Sequence, residues 1–359
     1  MTQPRLHLRG VVLPDGAARD VFVGDDGRIT FDGSVGDART IVDGGFLLPG
    51  LVDAHAHLTI RPDRMPADDA DVLTHARDQV EGGVLLIREP GAVSHVTASL
   101  AGKGLPRILT AGRWLAGRGR FLPGWAREVD DEELAEAVVE ELRAGGGDWA
   151  KVVGDWLGRE GRRPSFRPET LAETVRRVHE AGGRLAIHAI LAETVELAVA
   201  AGCDSVEHGT FASASSVAEI ADWGLALTPT VGAVLAPPPP PGASAEVRAW
   251  SNEAKRSVRE VVRAAWEAGV TLLAGTDVVI AHGRVREEIG LLASCGVPAE
   301  AALAAGSWGA RDFLGLSGIE EGAPADLVAY VRDPREDLSV LDAPVVVVLG
   351  GRLFDADRR

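Results

Sequence analysis

Eight short apolar runs, recurring roughly every 20–40 residues with helical patterns between them, constrain the fold of this chain more than any other feature. They are Gly50–Leu58, Val84–Arg88, Arg107–Ala111, Trp149–Val153, Arg184–Ala189, Ser205–His208, Leu225–Val231 and Thr271–Ala274. Segments of helical character, among them Asp131–Ala144, Pro168–Ala181 and Ala245–Ala268, lie between them. Such alternation predicts an α/β protein built on a distorted (β/α)8 TIM barrel over residues 48–319. The two ends read differently. Arg5–Leu13, Asp20–Val23, Arg28–Thr30 and Thr40–Val42 are short β segments separated by turns such as Pro14-Asp15-Gly16. Ala325–Val331, Val345–Leu349 and Arg352–Phe354 repeat that character. Residues 1–47 and 320–359 are therefore expected to pair into one small β domain.

A barrel of this kind carries its chemistry at the carboxyl ends of its strands, and polar residues gather there. The first run ends in Asp53-Ala54-His55-Ala56-His57. Side chains alternate along a strand with a period of two, so His55 and His57 are expected on one face, as half of a metal site. Lys151, His188, His208 and Asp277 lie inside or beside the fourth, fifth, sixth and eighth runs. A lone polar side chain in an apolar run is costly. Six converging from five strands read as one site.

Composition sharpens the lysine. Of 37 basic residues only Lys103, Lys151 and Lys255 are lysines. Burial and nearby cations lower a lysine pKa and free its amine. The free amine can take up carbon dioxide to become a carboxylated lysine, an anionic ligand able to bridge two metal ions, which arginine cannot become. The net charge of −16 argues against a nucleic-acid or anionic-membrane partner. The N-terminus lacks a long apolar segment, no run is long enough to span a bilayer, and Cys203 and Cys295 make no disulfide framework. These features place the chain in the cytoplasm as an expectation, acting on a small molecule, with a homo-oligomer left open.

Taken with Leu48-Pro49-Gly50-Leu51-Val52-Asp53-Ala54-His55-Ala56-His57, Val206-Glu207-His208-Gly209, Gly275-Thr276-Asp277 and the late Gly322-Ala323-Pro324-Ala325-Asp326-Leu327-Val328, this pattern resembles the amidohydrolase superfamily of metal-dependent hydrolases. Val206–Gly209 with Thr228-Pro229-Thr230 most resembles its imidazolonepropionase-like and prolidase-like branch. The resemblance covers nearly the whole chain and implies a small β-sandwich from both ends. It implies that His55, His57 and Asp277 hold one divalent ion, expected to be zinc, and that His188 and His208 hold a second. Carboxylated Lys151 and a hydroxide would bridge them. The hydroxide would attack a carbonyl, and Asp277 would shuttle its proton to the leaving nitrogen of an amide, lactam or dipeptide.

One stretch departs from that branch. Where a Gly-Gly-His segment is common, this chain has Arg113-Trp114-Leu115-Ala116-Gly117-Arg118-Gly119-Arg120-Phe121. Arg113, Arg118 and Arg120 are candidates for grasping a substrate carboxylate, since guanidinium matches it bidentately. Trp114, Trp125 and Trp156 are candidate pocket walls. Arg88 is expected near the metals or the substrate, and His282 near the substrate. The run Pro237–Pro241 reads as a stiff loop on the catalytic side. Two rivals remain. A mononuclear deaminase usually lacks the strand-4 lysine and uses a strand-5 glutamate. A non-catalytic scaffold generally lacks some of the ligands, all of which are present here.

Overall fold

The computed structural model describes residues 5–33, 36–100, 104–158, 161–236, 238 and 241–355. It has a mixed α/β architecture of parallel and antiparallel sheets, consistent with a distorted barrel-type amidohydrolase fold.

Both chain ends contribute to one seven-stranded sheet. Its order is Arg352–Leu353, Val346–Leu349, Leu327–Tyr330, Arg39–Pro49, Leu6–Val12, Ala17–Val23 and Ile29–Thr30. The long strand Arg39–Pro49 is the seam, parallel to Leu6–Val12 on one side and antiparallel to Leu327–Tyr330 on the other. The strands expected to form the sandwich follow one hydrogen-bonded order, because one strand has partners from both ends of the chain. Leu8, Val21, Val23, Leu47, Leu327 and Val348 form its own core.

The remaining strands are mostly parallel. One sheet joins Leu51–Asp53, Val84–Glu89 and Arg107–Thr110. The other runs from Arg127–Val129 through Leu115–Gly117, Trp149–Val153, Arg184–Ala189, Ser205–His208 and Ala226–Thr228 to Thr271–Leu272. The first and last parallel strands meet: Ala54 N donates to Ala274 O, Asp277 N donates to His55 O, and Ala56 bridges to Asp277. Val84–Glu89 and Trp149–Val153 are buried at every position. That is why these segments read as apolar runs and not as alternating patterns, as strands covered on both faces do.

The helices begin where their sequences say they should. Asp130 and Glu133 form a capping box on Asp131–Ala144, Pro168 opens Pro168–Glu180, and Ser244 caps the 23-residue helix Ala245–Glu267. Three features differ from the sequence expectation. The first, seventh and eighth strands are shorter. Leu115–Gly117 and Arg127–Val129 are strands that the apolar runs do not announce, and Asp155–Gly158 pairs with Gly161–Pro164 as a hairpin after the fourth strand. Glycines and arginines in these segments dilute the apolar signal on which strand reading depends. Of the proline run, only Pro238 and Pro241 are described; the rest of that expectation lies outside the described residues. No helix among the described residues is long and apolar enough to cross a membrane.

Candidate metal centre

Four imidazoles form a chain at one end of the parallel strands. Ring centroids lie 5.0 Å apart for His57 and His55, 5.1 Å for His55 and His208, and 4.5 Å for His208 and His188. Lys151, 2% exposed, lines the same cavity, as does Asp277. The structure therefore brings together His55, His57, Lys151, His188, His208 and Asp277, all read from the sequence.

What surrounds the rings fixes their direction. His55 Nδ1 lies 2.6 Å from Glu207 Oε2, and His57 Nδ1 lies 2.8 Å from Gly91 O. Both partners only accept, so both Nδ1 atoms carry the proton. The Nε2 lone pairs then face each other at 3.2 Å, and Asp277 Oδ1 is 3.5 Å from His57 Nε2. Two lone pairs so placed repel unless a cation sits between them. His55, His57 and Asp277 accordingly form a group whose ligand atoms lie within 4.8 Å of one another. His208 Nδ1 is 2.7 Å from Thr230 Oγ1, while the buried His188 Nε2 has no hydrogen-bond partner among the described residues and faces Asp155 Oδ1 at 3.6 Å. Burial first, and neighbouring positive charge second, hold His57, His188 and His208 well below the ordinary histidine value. They are neutral at pH 7, the form that binds a metal. Burial, helped by Arg88 and opposed by Glu207, pushes Lys151 down to about 8. The donor set thus fits divalent ions.

The backbone is bent to this purpose. Among the described residues only Arg64, His208, Thr230 and Asp277 combine a side chain with positive φ, at 63°, 72°, 43° and 54°. Three of them line the cavity, and the fourth, Thr230, bonds His208. Strand alternation alone would turn Glu207 and His208 to opposite faces; the left-handed turn at His208 lets both serve the site. At position 275 only glycine fits, since a Cβ there would stand 2.4 Å from His55 Cβ.

Several participants escaped the sequence reading. Glu207 is fully buried and accepts from Arg88 at 2.7 and 2.9 Å and from Ser205 Oγ at 2.6 Å. Although burial pushes its carboxyl up, Arg88, Lys151 and His55 hold it well below the carboxylate range. A carboxylate in the middle of Ser205–His208 was itself the signal. Asp53 accepts from Thr276 Oγ1 at 2.6 Å and from Gln79 Nε2 at 3.2 Å, locking the turn that presents Asp277.

The candidate substrate residues are placed elsewhere. Arg88 lies beneath the histidines and donates to Glu207, Thr228 Oγ1 and Ala54 O, so it steadies the centre from below. Arg118 is exposed, paired with Asp130 and Glu133. Arg120 is buried and donates to the carbonyls of Trp156 and Arg163. His282 packs on His75 with centroids 4.4 Å apart. Neither these residues nor Arg113 lines the cavity of about 390 Å³ above the histidines. Trp114, Trp125 and Trp156 do line it.

Arg113 instead binds the buried Glu141 through its backbone N and guanidinium, with His95 and Arg127 on the same carboxylate. Against the upward push of burial, these partners hold Glu141 at about 2. A depressed carboxyl stabilises the fold above its ordinary pKa and ceases to as pH falls through its folded value. Glu141→Gln is therefore expected to cost about 2 kcal/mol at pH 7, allowing for solvent screening of its partly exposed partners. The difference should shrink between pH 4.5 and 2. Denaturant unfolding of both proteins across that window checks it; a gap independent of pH would refute the assignment.

The fold and this centre define a class. The amidohydrolase family profile matches residues 46–353, and the chain belongs to that family. It is an enzyme that hydrolyses carbon–nitrogen bonds with a metal-binding His/His/Asp cluster. An uncharacterized protein of Mycobacterium tuberculosis is 37% identical over 363 residues, spanning 98% of this chain and 96% of the relative. A crystal structure of a Xaa-Pro dipeptidase with bound methionine in the active site is 25% identical, with TM-score 0.84 over 98% of this chain and 100% of the other. Ochratoxinase of A. niger, 22% identical with TM-score 0.84 over 99% of this chain and 96% of its own, shares the fold.

Proposed function

We propose that this enzyme hydrolyses an amide, lactam or dipeptide bond at a centre for two divalent ions, zinc by expectation, in the imidazolonepropionase-like and prolidase-like branch. The observation that carries the reading is the facing pair of unprotonated Nε2 atoms of His55 and His57, 3.2 Å apart beside Asp277. The similarity to the Xaa-Pro dipeptidase supports the branch. The parallel strands and the Ala56–Asp277 bridge support a distorted (β/α)8 barrel over residues 48–319, with 1–47 and 320–359 as the small domain.

His55, His57 and Asp277 would hold one ion and His188 and His208 the other, with carboxylated Lys151 as a ligand common to both. Ions seated there supply Lewis acidity, polarising a carbonyl and making water nucleophilic at neutral pH. Asp277 takes a proton from the attacking water and returns it to the leaving nitrogen as the C–N bond breaks; the water oxygen ends in the new carboxylate. Glu207 and Gly91 hold the two Nδ1 protons, so the His55 and His57 rings keep their direction throughout.

Metal analysis with a screen of N-acyl amino acids, dipeptides and lactams tests this reading. About two ions per chain and hydrolysis of at least one class are expected. A single ion with release of ammonia would favour a mononuclear deaminase, and a metal-free protein without activity would sink the proposal.

A further inference from the structure

The cavity above the histidines has an uneven wall. Trp114, Phe121, Trp125, Trp156 and Trp250 make it aromatic, with Phe121 and Trp156 in edge contact at 4.8 Å. The helix Ala245–Glu267 contributes Val247, Trp250, Ser251 and Ala254, one face at helical spacing. Among the described residues that line it the sole carboxylate is Asp277, in a chain with 53 acidic residues. Apart from Lys151, the cationic groups on the wall are Arg64 and Arg162.

Arg162 is held in a particular way. It sits on the Gly161–Pro164 strand of the hairpin that follows Lys151, and its guanidinium carbon lies 3.8 Å from the ring centroid of Trp250. Two separate elements of the cavity wall therefore meet at this contact. No carboxylate pairs with Arg162 among the described residues. Stacking occupies the face of the guanidinium and leaves its in-plane N–H edge to receive a planar anion. The protein's net charge of −16 repels anions at long range, so a site meant for an anionic ligand needs a local cation. A site for a neutral or cationic ligand would gain nothing from one.

We propose that Arg162, stacked on Trp250, sets substrate specificity: it grips a carboxylate of the substrate, with an aromatic or bulky apolar group filling the cage beside it. This deepens the amide-hydrolase reading and rests on it. Its substrate class is an N-acylated amino acid or dipeptide with a free carboxylate and a flat apolar body.

The test compares N-benzoyl-phenylalanine with its primary amide, probes of one shape that differ in charge. Binding is followed by tryptophan fluorescence, and kcat and KM by benzoate release. The unmodified enzyme should favour the anion by about 10–100-fold, the range of a charge-assisted bidentate pair. Arg162→Met, which keeps the stem over Trp250, should erase that preference by raising KM for the anion far more than for the amide, with little change in kcat. Arg162→Lys should restore part of it. Arg162 is solvent-exposed, so fold and metal content should stay as in the parent and are checked alongside. An equal loss for both probes would make Arg162 a wall residue and overturn the inference, as would an unmodified enzyme that binds both probes equally or neither. If the anion binds selectively through Arg162 but no amide is cleaved, the specificity stands and the hydrolase reading fails.

Discussion

Lys151→Ala is expected to halve the metal content, from about two ions per chain to about one, and to lower kcat/KM by about a thousandfold or more. Mass spectrometry under carbon dioxide should show the added carboxylate on the parent and not on the variant. Lys151 is 2% exposed in a strand buried at every position, so removing its stem leaves a cavity. Lys151→Met, which keeps that volume, separates loss of the ligand from loss of packing: it should be as inactive as the alanine variant but as stable as the parent. A short carboxylate such as acetate, diffusing into the space left by alanine, should restore part of the activity and the second ion. Full metal content and activity in Lys151→Met would remove the lysine from the centre.

The second large effect is on stability. Arg88 and Glu207 are both fully buried, joined at 2.7 Å, and Arg88 also lies 4.7 Å over the Trp149 ring. Arg88→Met leaves the Glu207 charge without its main partner and is expected to cost about 3–5 kcal/mol in denaturant unfolding. Adding Glu207→Gln should recover most of that loss, because the unpaired charge is gone. The double variant should still bind metal about 10–100-fold more weakly, since His55 Nδ1 loses the carboxylate that orients it. A double variant no more stable than the single one would show that Arg88 acts through packing alone.

The cluster of six polar side chains was legible because its signal is local. His55, His57, Lys151, His188, His208 and Asp277 each lie inside or beside an apolar run, and the runs recur at a period that tells where strands end. The small sheet was legible too, from β segments at both ends, although its seam through Arg39–Pro49 was not. The substrate arginines were misplaced for a physical reason. Sequence says which side chains could grip a carboxylate, but not which already hold one. Arg113 is occupied by Glu141 and Arg118 by Asp130, partners 28 and 12 positions away. Arg162 gave no signal, because its place depends on a hairpin and a distant helix meeting across the cavity. Positive φ at His208 and Asp277 was equally invisible, since neither residue type calls for it.

The contact between the first and last parallel strands has a consequence for how the protein is made. Asp53 and Thr276, which bond across it, are 223 positions apart, and His55 is 152 from its Glu207 anchor. At about 5–20 residues added per second, roughly 10–45 s of synthesis separate the first histidines from the last acid. Until Glu207 has been made the His55 ring lacks the carboxylate that orients it, and until Asp277 has been made the cluster lacks its acid. Contacts of such long sequence separation also form late in folding. Metal uptake by the His55, His57 and Asp277 cluster is therefore expected only after residue 277 has been made, and the metal content of chains stalled before and after that residue checks it.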